Sequence, residues 1–238
     1  MNTTKVEDID FSKGYFHFTH KDNLKSIQKL GLVPKIGDNA ENLEKSEKSF
    51  FSFGGAGILQ LCNIWIKWLA FKQQKQRYKS KAANSKERAL LLQKFYDDFK
   101  NSKIYTKSVM EEIYSNFFSF MSNNVFLKLN LVEGEDFKSN DIDEVKIMLK
   151  SRPEMLQAMY GKTKHDEKNL FCMEDWNMHT IPGKIIEPSK IEVIKTGKSL
   201  SAKDTLKYVY EKTDKTALDL KFLDDFFKTC KSVKREYV

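Results

Sequence analysis

Proline and arginine are scarce in this 238-residue chain, at four each, and it holds only ten glycines and three cysteines. So little proline and glycine leaves no composition for a flexible linker or a fibrous repeat. Cys62, Cys172 and Cys230 are odd in number and far apart, which excludes a disulfide framework and a CxxC metal clamp and points to a reducing, cytoplasmic home. No secretory signal is expected, because residues 1–10 carry acids and no apolar run behind a basic start. A membrane-spanning helix needs about 20 predominantly apolar residues. Phe50 to Phe71 comes nearest but is broken by Ser52, three glycines, Gln60, Asn63 and Lys67, so it reads as a core helix with no membrane role. The phosphate loop GxxxxGK[ST], the dinucleotide fingerprint GxGxxG, the zinc-protease HExxH and the hydrolase GxSxG are all absent.

What is present is a core-forming composition. Hydrophobic residues make up 40% of the chain, with 18 Phe, far more apolar surface than a disordered chain carries. The length fits one large domain. The net charge of +8 is local: from Lys67 to Lys107 twelve basic residues face only Glu87, Asp97 and Asp98, a net of +9, leaving 29 basic against 30 acidic elsewhere. Lysine in place of arginine, with abundant Asn, Ile and Phe, is the usage of an AT-rich bacterial or phage genome.

Periodicity and turn signals place the elements. Tyr15 to Thr19 is aromatic and β-branched and reads as a buried strand. A helix follows, capped by Asp22 or Asn23, with Leu24, Ile27 and Leu30 on one face and Gly31 ending it. Gly37 to Lys48 reads as a loop, Lys48 to Phe53 as a short strand, and Gly54-Gly55-Ala56-Gly57 as the turn into a helix from Ile58 to Lys79. The apolar stripe of that helix is Ile58, Leu61, Cys62, Trp65, Trp68 and Leu69, and Lys72 to Ser85 is expected to be exposed or loosely ordered. Two more helices are expected, one capped by Ser85 and one opened by a Ser108–Glu111 capping box. Val125 to Leu131 reads as a strand, and 141–150 and 153–160 as short helices. Asn169 to Thr180 and Lys190 to Lys195 look like strands around a turn at Pro182-Gly183, and two tail helices cover Ala202 to Lys212 and Thr216 to Lys231. The expected fold is a single α+β domain over 1–238, with a helical insertion at 67–123 and a helical tail at 201–238.

One constellation carries chemistry as a pattern. His17-Phe18-Thr19 ends a strand, Asn23-Leu24, Ile27 and Gly31-Leu32 follow with the spacing NLxxIxxxGL, and Phe50-Phe51-Ser52 forms a second short strand. This arrangement resembles the opening of the ADP-ribosyltransferase fold, most of all the DarT-type toxins that modify DNA and the poly(ADP-ribose) polymerase group. The resemblance covers roughly residues 15–60. It implies a split β-sheet core and an enzyme that takes NAD as substrate, cleaves the nicotinamide glycosidic bond and modifies a macromolecular acceptor, such as a nucleic acid or a protein. It also implies that His17 holds a ribose hydroxyl and that Thr19 supports the same sugar or the nicotinamide amide. Phe51 stands where the family stacks an aromatic, often tyrosine, on nicotinamide. Ser52 and Gly54 complete the cofactor-binding set, Gly54 within a glycine turn whose amides suit an anion. The late acid of the family falls on Glu174, with Asp175, Glu133 and Glu135 as alternatives. Independently of family, cleavage of a glycosidic bond builds positive charge on the sugar, which a fixed carboxylate stabilises. His179, at a strand end before Pro182-Gly183, joins Glu174 as a candidate catalytic group.

Other groupings are weaker. His165, Cys172 and His179 are seven residues apart each way, which does not gather ligands on an extended segment, so no metal is expected. Cys62 lies on an apolar helix face and behaves as a small hydrophobe. Lys72, Lys75, Arg77, Lys79 and Lys81, with Tyr78 among them, can track a phosphate backbone or merely solvate a helix. The alternative to the enzyme is therefore a non-catalytic protein that binds nucleic acid or a partner through segment 67–107.

Overall fold

The computed structural model describes residues 2–11, 14–33, 49–52, 55–132, 135–136, 179–182, 185–215 and 220–233. The expected loop at Gly37 to Lys48, the two short helices at 141–150 and 153–160, and most of the strand from Asn169 lie outside them.

The most apolar strand is central. β1 (Asn2–Lys5), β2 (Tyr15–His20), β4 (Asn124–Leu129) and β6 (Ile191–Lys195) form one mixed sheet in the order β1-β6-β4-β2. β4 is antiparallel to both β2 and β6, and β1 runs parallel to β6, with Asn2 opposite Glu192. β4 is buried almost throughout because both of its faces are covered. On one face Val125, Leu127 and Leu129 pack with Ile191, Val193, Ile27 and Leu32. On the other, Phe126 meets Phe18 at 5.1 Å between ring centroids, and Phe18 meets Phe120 at 5.3 Å. β3 (Ser49–Ser52) and β5 (His179–Pro182) pair antiparallel as a separate two-stranded sheet. Strand β1 has no counterpart in the sequence reading.

Helix α1 (Leu24–Leu30) starts differently from expectation. Asn23 is already helical in its backbone and caps nothing; a 3-10 turn, Lys21–Asn23, precedes the helix, and His20 Nδ1 accepts the Asp22 amide. Of the expected stripe, Ile27 is buried and Leu30 is exposed. Gly31 takes φ +76°, and the next residue, Leu32, exchanges two backbone hydrogen bonds with Ile186. Beyond β4, buried Asp136 accepts Lys190 Nζ at both carboxylate oxygens, at 2.6 and 2.7 Å, and the Val132 amide at 2.9 Å. That clasp joins the chain leaving β4 to the turn that enters β6.

The chain divides into two compact units, split at Leu61/Cys62 and at Phe118/Ser119. The sheets, α1 and α5 (Ala202–Lys212) belong to the first, and α6 (Lys221–Val233) belongs to the second, so the two tail helices part company. α5 has the bounds expected of it, whereas α6 begins later than Thr216, with Leu220 still outside the helix.

α2 (Gly55–Ser80), of which Cys62 onward belongs to the second unit, begins within the glycine cluster and continues without a break to Ser80, into the stretch expected to be exposed or loosely ordered. Its buried face holds Ile58, Leu59, Cys62, Ile66, Ala70 and Phe71, and Gln74 is buried too, whereas Trp65, Trp68 and Leu69 are half-buried. Phe71 and Tyr78 then dock on α3 (Ser85–Lys100), with Phe71 5.2 Å from Phe95 and 5.0 Å from Phe99. Tyr78 packs edge-on against Phe95 and donates to Asp98 at 2.7 Å. The cap of α3 is Asn84 rather than Ser85: its side chain accepts the Glu87 amide, while Glu87 accepts the Ala83 amide. α4 (Lys107–Asn123) likewise starts before Ser108, since the Met110 amide already bonds to the Thr106 carbonyl. Asn63 accepts the Leu223 amide at the start of α6, and Phe226 meets Phe117 edge-on at 5.1 Å.

Phe95 is fully buried and touches four rings. Phe95→Ala is expected to lower unfolding free energy by about 3–5 kcal/mol, and Phe95→Leu by clearly less, because the first leaves a cavity among rings that cannot close on it. Urea denaturation measures both, and equal losses would refute the packing role.

Candidate active site

Strand geometry sets what the sequence candidates can share. His17 and Thr19 are two residues apart on β2, so both point to the face of the sheet that carries their direct partners Leu127 and Val125. Both are half-buried, and Tyr15 on the same face packs into the apolar cluster with Ile27. Their Cα atoms are about 7 Å apart, a span that suits the two sides of a sugar ring. Thr19 Oγ1 accepts Asn23 Nδ2 at 3.0 Å, which ties the strand end to the 3-10 turn that follows. Asn23 thus belongs to this corner as a holder of Thr19; the i to i+4 spacing of two polar side chains after a strand was the available signal.

The second sheet supplies the other candidates. In the register of β3 with β5, Phe51 stands opposite Thr180 and Ser52 opposite His179. Directly opposed residues of an antiparallel pair have Cα atoms about 4.5–5.5 Å apart, so Ser52 and His179, 127 positions apart in sequence, are neighbours. β2 and β3 also approach each other, with Cα atoms within 8 Å, although they belong to different sheets. The backbone therefore gathers His17, Thr19, Phe51, Ser52 and His179 on three adjoining strands. The opposition of Thr180 to Phe51 was not foreseen. Glu174, Asp175, Glu133 and Gly54 lie outside the described residues; Glu174 precedes the first residue of β5 by five positions.

The remaining candidates are held by other contacts. Burial pushes the Cys62 thiol up to about 12, far from the range of a nucleophile. Among the described residues no cluster of three or more His, Cys, Asp or Glu side chains is placed to hold a metal ion, and no helix is long and apolar enough to cross a membrane. On the basic segment Arg77 pairs with Glu112, a partner outside that segment and 35 positions away. Lys72 sits over the Trp68 ring at 5.9 Å, Lys75 over Phe71 and Tyr96 at 5.5 and 5.3 Å, and Lys81 over Tyr78 at 5.7 Å. Hydrogen bonding to Asp98, burial and that carboxylate's charge raise the Tyr78 hydroxyl above its usual range.

No family model matches the chain, and neither a curated protein nor a solved structure is similar to it.

Proposed function

We propose that the chain is an NAD-dependent ADP-ribosyltransferase-like enzyme that transfers ADP-ribose to a macromolecular acceptor, on a split-sheet core with a helical insertion. The established part of that statement is coarser: a mixed α/β architecture with a four-stranded mixed sheet. The single observation that supports the reading is the approach of β2 to β3 across two sheets, since it brings the strand of His17 and Thr19 beside the strand of Phe51 and Ser52.

In this reading His17 donates to or accepts from a ribose hydroxyl and Thr19 steadies the same sugar. Phe51 offers a ring face to nicotinamide, and Ser52 and Gly54 contact the dinucleotide from the end of β3. The glycosidic C–N bond breaks with its electron pair leaving on nicotinamide. The sugar gains oxocarbenium character, and a preorganised carboxylate, assigned to Glu174, stabilises that charge without reorganisation. His179 accepts the proton that the acceptor loses as its nucleophilic atom bonds to the anomeric carbon.

The test is nicotinamide release from NAD by purified protein, followed chromatographically. Glu174→Gln and His17→Ala are each expected to slow release by about 100-fold or more, with His17→Ala also weakening NAD binding. Asp175→Asn is expected to leave it near the wild-type rate. A wild-type chain that neither binds NAD nor releases nicotinamide would end this reading.

A further inference from the structure

The basic segment gains a property in three dimensions that its composition alone lacks. Trp68, Lys72, Lys75 and Lys79 recur at i, i+4, i+7 and i+11 along α2, a spacing that lines one helix face over about 16 Å. The buried face is a different one, formed by Cys62, Ile66, Ala70 and Gln74. Each of three lysines is seated on an aromatic ring: Lys72 on Trp68, Lys75 on Tyr96 and Phe71, Lys81 on Tyr78.

The three acids of the segment each accept a hydrogen bond from a neutral donor and keep their charge, so they offset three of its twelve basic residues and leave a net of +9. Glu87 accepts the Ala83 amide, Asp97 accepts Gln93 and Asp98 accepts Tyr78. Lys72, Lys81, Lys86, Arg88 and Lys94 are all exposed, against Asp97 as the one exposed acid of the segment. Trp68, Tyr78 and Tyr96 are half-buried beside them, only one of which lies within the Lys72–Arg88 run of sequence.

We infer that the α2–α3 surface binds single-stranded nucleic acid, its lysines lifting from the half-buried rings onto the phosphates and so uncovering those ring faces for the bases. Charge complementarity selects a polyanion, and the rings select a strand with accessible bases over an acidic peptide or a sulfated sugar. This inference is independent of the transferase reading, and its measurement contains no NAD.

The experiment is fluorescence anisotropy of the full chain with a labelled single-stranded oligonucleotide from 50 to 300 mM salt, with heparin and poly-glutamate as competing polyanions. Affinity is expected to fall with salt, with a log–log slope of about −2 to −3, as for release of ions by three or four phosphate contacts. Lys72→Gln/Lys75→Gln/Lys79→Gln is expected to cost at least about tenfold at 50 mM salt and to flatten the slope by about 2. Tyr96→Leu, at unchanged charge, is expected to weaken the oligonucleotide about fivefold and to leave heparin untouched. Circular dichroism of each variant checks that it is folded. No binding at 50 mM salt, a flat salt response, or equal displacement of oligonucleotide by poly-glutamate would overturn the inference.

Discussion

A stability that falls steeply above pH 9, with part of the fall abolished by Cys62→Val, is the expected result of alkaline denaturation. The Cys62 thiol is fully buried, and burial carries it from an ordinary 9.0 to about 12 in the folded chain. Burial also lifts Tyr105 to about 12, and burial with the charge of Asp225 lifts Tyr114 above its ordinary 10.0. A group whose folded value is raised holds its proton more tightly in the folded state, so its contribution is whole below the unfolded value and is lost as pH climbs to the folded one. The window therefore opens near pH 9 for Cys62 and near pH 10 for the two tyrosines. A rise of three units corresponds to a loss on the order of 4 kcal/mol across that window, which is a large share of the stability of a typical domain. Valine is larger than cysteine by about one methyl group and has no proton to lose, so Cys62→Val is expected to fall about 1–3 kcal/mol below wild type at pH 7 and to lose less than wild type between pH 7 and pH 11. Urea midpoints at both pH values decide the matter; parallel pH profiles for the two proteins would show that the thiol is not the titrating group.

The second large effect is expected at Gly31. A Cβ there would lie 2.1 Å from the carbonyl oxygen of Ile186 and 3.2 Å from the Ile185 side chain, and the backbone sits at φ +76°. Alanine thus meets two costs: about 1–3 kcal/mol for a backbone at φ +76°, ψ −171°, a region essentially restricted to glycine, and displacement of a backbone carbonyl that is itself hydrogen-bonded to Leu32. Separating that bridge puts at risk two hydrogen bonds of about 1 kcal/mol each. Gly31→Ala is expected to lose about 3 kcal/mol or more. Gly197 is the control, because it also has positive φ, at +58°, but nothing lies within 4 Å of an added Cβ. Gly197→Ala is expected to cost only about 1 kcal/mol, and equal losses at the two positions would mean that the close approach to Ile186 is immaterial.

Gly31 was legible in the sequence as a helix end, but not as a contact. The same division runs through the fold. β2, β4, β6 and α5 declare themselves because aromatic and β-branched runs, or a Ser201 cap before a periodic stripe, are local signals. β1 does not, since Asn2–Lys5 holds no apolar side chain and owes its strand to backbone pairing with β6. On α2 the segment from Ile58 to Phe71 is apolar on most sides, so two stripes compete on paper; the rings of α3 select Phe71 and leave Trp68 half-buried. The stripe then persists through Gln74 and Tyr78, where polar atoms disguise it. For the candidate site, His17 and Thr19 were readable as strand neighbours, whereas the opposition of Ser52 to His179 depends on a pairing across most of the chain.

Strand β1 also constrains the order of folding. Its residues pair with Glu192 to Lys195, so a ribosome must deliver some 190 residues before the outer strand of the sheet has a partner. Until then β6 is missing and β4 presents an apolar edge with only β2 beside it. Pairing that distant is slow to form, because a long loop must close before any contact rewards it. Nascent chains that stop before residue 190 thus leave the β6 side of β4 open to pairing with another strand.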